Sequence, residues 1–513
     1  MGFMTLLSRI LGMIRDMVSA AAFGTSWQWD AFLYAFMLPN FFRRLVGEGA
    51  LSSVFIPVYN EILQTRGKEE AFRFSKILLG VLETGFLVFM VLAEIGLAWA
   101  LSSWTGLPDR VHLILDLLRF LLPYLAMMST YALFMGVLNS HREFFASAFG
   151  PVIMNVGWIA GVVVITRAGL GGAVVELRWL AVVTVFSGLG QILFQVRPLR
   201  KIGFRFGWIW DLGYPALKKC LILLFPVMAG FAVMQINLVV DSMFAYWVGK
   251  GANSTLWYGN RLMQFPLGVF AIAISSALLP TISQQFAAGQ LKEACRNLSF
   301  SLRSVCFIVL PCAAGLMVLA APIVQFLFER GQFDAESTRR TAAVLFCFSF
   351  GLFAYAGQKV IISGFYAVQD TKTPMKVAVV SLSANVLFNY ILMKPLAEAG
   401  LALGTSLSGI LNFVLLMVLF HRKVTPLPAA EIFKSCSRIL IATVLMGLAA
   451  FFLYGYLEIL MPGGGTLSQA LRVLGTITAA VVMYPLLCLI CRVPEIREGL
   501  TFLRNRRKRG PAS

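Results

Sequence analysis

The sequence is poor in charged residues, which make up only 13% of its 513 positions. A soluble protein contains about 25% charged residues, so this composition argues against a soluble class. Hydrophobic residues take their place, at 59% of the chain with a mean hydropathy of +0.80. Apolar runs of about 20 residues recur along the whole length, and each is long enough to cross a bilayer as a helix. The sequence therefore predicts an all-α polytopic membrane protein.

Recognisable catalytic and metal-binding patterns are also lacking. The three histidines have no ligand spacing, and there is no Walker motif, nucleophile elbow or glycine-rich nucleotide turn. Most of the eight cysteines lie in apolar segments, where a thiol behaves as a small hydrophobic group, and no disulfide is implied. We therefore predict that the protein is not an enzyme. The net charge of +19 collects in alternate connections, as membrane topology requires, and so predicts no nucleic-acid partner.

Fourteen apolar segments are predicted to span the membrane. The first contains Arg9, Arg15 and Asp16, which a cleavable signal peptide would not carry in its apolar core, so we expect it to remain as a span. Because alternate connections carry most of the Lys and Arg, both termini are predicted to be cytoplasmic. The predicted spans are 5–24, 31–59, 75–102, 112–138, 148–166, 179–196, 217–247, 255–285, 301–320, 341–366, 374–393, 399–420, 436–457 and 470–491.

The chain contains a weak internal repeat. An offset of 223 residues aligns Ala50–Ser53 with Ala273–Ser276 and Pro57 with Pro280. The repeat unit is six spans, an even number, which predicts parallel repeats about an axis along the membrane normal, with a ligand site between them. The predicted divisions are an N-terminal lobe (1–200), a C-terminal lobe (201–425), an extra helix pair (426–495) and a basic cytoplasmic tail (496–513).

The first two predicted spans carry far more charge than lipid tolerates. A charged residue at the centre of a spanning helix costs about 2.5–3.5 kcal/mol, so these side chains are expected to face a water-holding interior, one another or a ligand. Buried ion pairs that lock helices together are one interpretation. Arginines outnumber acids, however, and the planar guanidinium suits phosphate, which favours an anion-binding cavity. The predicted substrate-binding residues are Arg9, Arg15, Asp16, Asp30, Arg43, Arg44, Glu48 and, facing them from the eighth span, Arg261.

A second polar group is predicted to bind Na⁺. Asp241 is the single acid of the seventh span, and Asn385 and Asn389 lie one turn apart on the eleventh, with Thr405 on the twelfth. These are hard oxygen donors, although polar residues also hold membrane helices together. Both interpretations stay open. Three further charges inside predicted spans have no partner assigned from the sequence: Glu83, Glu94 and Lys359.

Several runs resemble the MurJ/MviN family of lipid II flippases, in the multidrug/oligosaccharidyl-lipid/polysaccharide exporter superfamily. They are SRILGMIRD, DAFLYAFMLPNFFRRLVGEGALSSVFIPVY and NRLMQFPLGVF, and the resemblance covers essentially the whole chain. It implies two six-helix lobes with two additional helices, and alternating access that moves an undecaprenyl-diphosphate-linked peptidoglycan precursor between leaflets of the bacterial cytoplasmic membrane. It also implies that the family's essential charges and candidate sodium position fall on the residues named above.

Two other function classes are weighed against a flippase. A multidrug or cation antiporter of the same architecture would need free acids and aromatic side chains around a cationic drug, whereas the predicted cavity is net positive. A receptor or scaffold would use the charges only as ion pairs. The expected partners are a lipid-linked precursor and membrane lipids, and the chain is expected to function as a monomer.

Overall fold

The computed structural model describes residues 2–43, 51–104, 106–463 and 465–496. Within these ranges the secondary structure is helical and contains no β-strand. Nine of the described helical stretches are long and apolar enough to cross a membrane. The predicted all-α polytopic membrane fold is confirmed, and each of the fourteen predicted spans is largely helical in its described part.

The chain forms two compact units. The first comprises Met1–Ser242 together with Arg330–Phe333, and the second comprises Met243–Glu329 together with Asp334–Ser513. The predicted division into lobes at 1–200 and 201–425, with the pair 426–495, stays a prediction. The basic tail beyond residue 496 lies outside the described residues.

The helices of the first unit follow the first seven predicted spans. The described parts of the second predicted span belong to one helix that ends at Phe42 and to another that begins at Leu51. The helices are α1 (Gly2–Phe23), α2 (Trp27–Phe42), α3 (Leu51–Thr65), α4 (Lys68–Ser103), α5 (Asp109–Ser140), α6 (Phe144–Ala168), α7 (Ala173–Lys201) and α8 (Pro215–Val248), the last of which continues into the second unit.

Several helices of the second unit are interrupted. A π-helical segment, Leu267–Ala271, follows Pro266, and Ala397 has non-helical backbone angles (φ 49°, ψ −129°) that separate two spans. The helices are α9 (Ala252–Pro266), α10 (Ile272–Ala287), α11 (Leu291–Val318), α12 (Ala320–Phe328), α13 (Ala335–Phe350), α14 (Leu352–Ala367), α15 (Lys372–Lys423, bent at Ala397), α16 (Ala429–Leu460) and α17 (Thr466–Ile490).

An aromatic cluster fixes the start of α2 in the first unit. Ser26 caps the helix by accepting a hydrogen bond from the backbone N–H of Trp29 at 3.2 Å, as Ser does at helix N-termini. The rings of Trp29 and Phe32 stack at 5.3 Å, and Trp158 of α6 meets Phe32 edge-on at 5.6 Å. Because aromatic pairs of this geometry are favourable, they stabilise the contact between α2 and Trp158 of α6.

Two glycines allow a close backbone contact in the first unit. Gly24 follows α1 and Gly331 lies in the segment between α12 and α13, and both have left-handed φ angles, 58° and 59°. The N–H of Gln332 donates to the carbonyl oxygen of Ala21 at 2.9 Å. A Cβ atom on Gly331 would lie 2.3 Å from that same oxygen, so only glycine fits.

Replacing Gly331 with alanine is expected to lower the unfolding temperature of the purified chain, because the methyl group would push apart the two backbones. Gly169→Ala is the matched control: Gly169 has φ +57° with no atom within 4 Å of the added Cβ, so it carries the backbone strain, about 1–2 kcal/mol, without the clash. Thermal unfolding in detergent measures both variants. An equal decrease in the unfolding temperature of both variants would contradict the proposed role of close packing at Gly331.

Candidate functional site: the charged residues of α1 and α2

Arg15 on α1 is held between a carboxylate and an aromatic ring. Its Nη2 donates to Oδ1 of Asp16 at 2.9 Å, and its Nε donates to the same oxygen at 3.1 Å. The centre of the guanidinium lies 5.1 Å from the centroid of the Trp158 ring, within the range of a cation–π interaction. The indole N–H of Trp158 in turn donates to Ser19 Oγ at 3.0 Å. Arg15 is therefore positioned by α1 and α6 together.

Asp30, in the first turn of α2, is fully buried and paired. Its Oδ2 lies 3.3 Å from Nη2 of Arg110, at the start of α5. The same guanidinium lies 5.1 Å from the ring centroid of Tyr34 and bonds to its hydroxyl at 3.3 Å. A carboxylate this deeply buried needs a cation nearby. The pair therefore ties α2 to α5 and neutralises an acid that the sequence assigned to the substrate.

Arg9 and Arg43 differ from Arg15 in their surroundings. Arg9 is half-buried on α1, and among the described residues no acid forms a salt bridge with it. Arg43, directly after α2, donates from Nε and Nη2 to Oδ1 of the Asn40 amide at 3.2 and 3.0 Å. The predicted pair Arg44 and Glu48 lies outside the described residues.

Arg261 belongs to the second unit, on α9. It is half-buried, next to Asn260 and one turn before Phe265, and it is the single formal charge of that helix. Asn260 accepts a hydrogen bond from the amide of Gln264. The predicted role of Arg261 in substrate binding stays a prediction.

Three of the four predicted sodium ligands meet in the second unit, across the bend in α15. The amide of Asn385 donates to Thr405 Oγ1 at 3.3 Å, and the amide of Asn389 donates to Asn385 Oδ1 at 3.1 Å. Both asparagines are buried. As arranged, these groups bind one another and join the two halves of α15, as polar residues do between membrane helices.

The fourth predicted sodium ligand lies in the other unit. Asp241 is half-buried on α8, at the end of the first unit. A cation at the asparagine cluster would need oxygens rather than amide N–H groups facing it, so Asn385 would have to turn its amide. The sodium site stays a prediction.

The structure also supplies partners for charges that the sequence left unassigned. Glu83 of α4 accepts hydrogen bonds from Ser129 and Thr130 of α5, each at 2.6 Å, and Glu94 pairs with Arg119. These contacts tie α4 to α5. Lys359 is half-buried on α14.

Sequence reasoning missed Arg110 and Trp158 as members of the site. Arg110 lies just before the predicted span 112–138, but it stands in the first turn of α5, where the helix dipole disfavours a cation. A cation in that position needs a nearby acid, and this is the signal that could have suggested a pair with a buried carboxylate. The sequence contains no pattern that would indicate Trp158 as a site residue, because a single tryptophan in an apolar span has no special meaning.

Comparisons with known proteins show the relationship over nearly the whole chain. A family model described as “Lipid II flippase MurJ” matches residues 19–472. The chain belongs to this family. A relative from Rhizobium meliloti, named “Probable lipid II flippase MurJ”, is 34% identical over 491 residues, which cover 94% of this chain and 91% of the relative.

Solved structures agree with this family membership. One described as “Lipid II flippase MurJ, inward closed conformation” has a TM-score of 0.76 and 26% identity, and the match covers 95% of this chain and 98% of that one. An inward-facing multidrug resistance MATE transporter has a TM-score of 0.66 at 16% identity, covering 83% of this chain and 96% of that one, and shows the fold alone. Because a flippase moves a lipid between leaflets, the prediction that this chain is not an enzyme is confirmed.

Proposed function

We propose that this chain is a lipid II flippase of the bacterial cytoplasmic membrane, moving an undecaprenyl-diphosphate-linked peptidoglycan precursor from the inner to the outer leaflet. Within the molecule, the proposal rests on the arginines of α1. Arg9 has no salt bridge to a described acid, and Arg15 is held by Asp16 and Trp158. Guanidinium groups inside a membrane protein bind anions well, and diphosphate matches their planar donor geometry.

The proposed mechanism is alternating access, with the diphosphate bound by the arginines while the prenyl chain stays in lipid. We further propose that the chain acts as a monomer with both termini in the cytoplasm. The distribution of Lys and Arg between connections supports this orientation.

A cation antiporter fits the acids of α1 and α2 less well. Such a transporter needs a carboxylate that can accept a cationic substrate, but Asp16 already pairs with Arg15 and Asp30 with Arg110. Displacing a buried guanidinium from its acid is costly, since breaking a buried ion pair costs about 3–5 kcal/mol.

The function can be tested by replacement in a bacterium depleted of its own flippase. Expression of this chain is expected to restore delivery of the lipid-linked precursor to the outer leaflet, measured by labelling with a membrane-impermeant reagent. Membrane-inserted protein in the absence of any outer-leaflet precursor would contradict the proposal. Efflux of a cationic dye by the same cells would favour the antiporter instead.

A further inference from the structure

A basic cavity lies at the C-terminal end of α7, on a different helix from the charged residues of α1 and α2. It has a volume of about 410 Å³ and is lined by Leu193, Val196, Arg197, Arg200 and Lys201. The three cations are exposed, and among the described residues no acid forms a salt bridge with any of them. Their position at the helix C-terminus is favourable because the helix dipole is negative there.

The surface of α7 changes from apolar to basic along one face. Phe186, Leu189 and Leu193 are 65%, 36% and 59% exposed, and they are followed at intervals of four and three residues by Arg197 and Arg200. Residues at this spacing share one helix face. A hydrocarbon-facing stripe therefore runs directly into a pair of guanidinium groups, as expected where a helix leaves the membrane core.

The segment after α7 gives independent evidence that this end of the helix lies at the membrane–water interface. Trp208 and Trp210 are largely exposed, and exposed tryptophan is typical of the membrane–water interface. The segment is held against α4: a Cβ atom on Gly80 would lie 2.7 Å from the carbonyl oxygen of Ile209. The guanidinium of Arg200 lies 6.0 Å from the Phe206 ring centroid of this segment, which joins the cavity to the interfacial tryptophans.

We propose that this cavity binds the phosphate headgroup of an anionic phospholipid, with an acyl chain lying along the Phe186–Leu193 face. Clusters of Lys and Arg next to a membrane helix attract anionic lipid headgroups. The transported lipid shares the phosphate chemistry, and the test below separates the two.

The test compares binding of phosphatidylglycerol and phosphatidylcholine to the purified full chain in detergent, by native mass spectrometry. A triple variant, Arg197→Gln with Arg200→Gln and Lys201→Gln, is expected to bind phosphatidylglycerol at least tenfold more weakly, because it removes three cations that attract the anionic headgroup. Binding of phosphatidylcholine should not change. Thermal unfolding at the parent temperature would show that the variant is folded.

A matched control removes three exposed cations that do not line the cavity, by Arg66→Gln, Lys218→Gln and Lys292→Gln. This control is expected to keep the parent affinity for phosphatidylglycerol. An equal loss of affinity for phosphatidylglycerol in both triple variants would show an effect of net charge alone and would overturn the proposal. Unchanged phosphatidylglycerol binding in the cavity variant would overturn it as well.

The source of the phosphate is distinguished by two further probes. If undecaprenyl diphosphate, but not phosphatidylglycerol, loses affinity in the cavity variant, the site serves the transported lipid and the proposal is wrong. If inorganic phosphate competes as well as phosphatidylglycerol, the acyl-chain contact along α7 is wrong. Because binding is measured without transport, neither outcome depends on the flippase assay.

Discussion

Arg15→Ala is expected to reduce delivery of the lipid-linked precursor to the outer leaflet roughly 10- to 150-fold, because a hydrogen bond to a charged group contributes about 1.5–3 kcal/mol. Arg15 is oriented by Asp16 at 2.9 Å and by the Trp158 ring at 5.1 Å, so its guanidinium is fixed before the substrate arrives. Arg15→Lys keeps the charge but loses the planar fork, and we expect an intermediate rate.

Membrane insertion must be separated from transport in this experiment, because removing Arg15 also deprives the buried Asp16 of a partner. The double variant Arg15→Ala with Asp16→Asn removes that carboxylate charge and is expected to regain thermal stability without regaining transport. Arg167→Ala, at the exposed end of α6, is the control and should transport normally. Normal precursor delivery by the stable double variant would contradict a role for Arg15 in binding the diphosphate.

The helices were predictable because the bilayer imposes a simple rule of length and hydropathy. The rule does not locate helix ends that extend into water. The third predicted span begins at residue 75, whereas α4 begins at Lys68, and its first turn contains Glu69 and Glu70. Acids in a first turn favour the helix through its dipole, but they lower the hydropathy that a span search measures. The short helix α12, Ala320–Phe328, is apolar, but its nine residues are too few to span a membrane. A search for membrane spans therefore does not find it.

The identities of the site residues were easier to predict than their partners. The sequence predicts Arg9, Arg15 and Asp16 as site residues of one span without assigning a partner to any of them, and the structure pairs Asp16 with its neighbour Arg15. The partner of Asp30 comes from α5, 80 residues away. Periodicity describes one helix at a time, so a contact between helices distant in sequence depends on packing that no single segment encodes.

Arg110→Ala is expected to destabilise the folded protein by about 3–5 kcal/mol, because it would leave the carboxylate of Asp30 buried without its cation. Asp30 is 0% exposed at its side chain and Arg110 is 13% exposed, so water cannot replace the lost partner. The unfolding temperature in detergent should fall by on the order of 10 °C. Arg339→Ala is the control: it breaks an exposed pair with Glu336, which contributes about 0–1 kcal/mol.

A double-mutant cycle decides whether this pair acts in folding or in transport. If Asp30 and Arg110 stabilise each other, Asp30→Asn combined with Arg110→Ala should cost less stability than the two single changes added together. Additive losses would show that the pair is not coupled in the fold. If the Arg110→Ala variant has the same unfolding temperature as the parent but no longer delivers the precursor, then the Asp30 carboxylate and its arginine act on the substrate. The cycle thus separates the ion pair that holds α2 to α5 from the guanidinium groups of α1 that are proposed to bind the diphosphate.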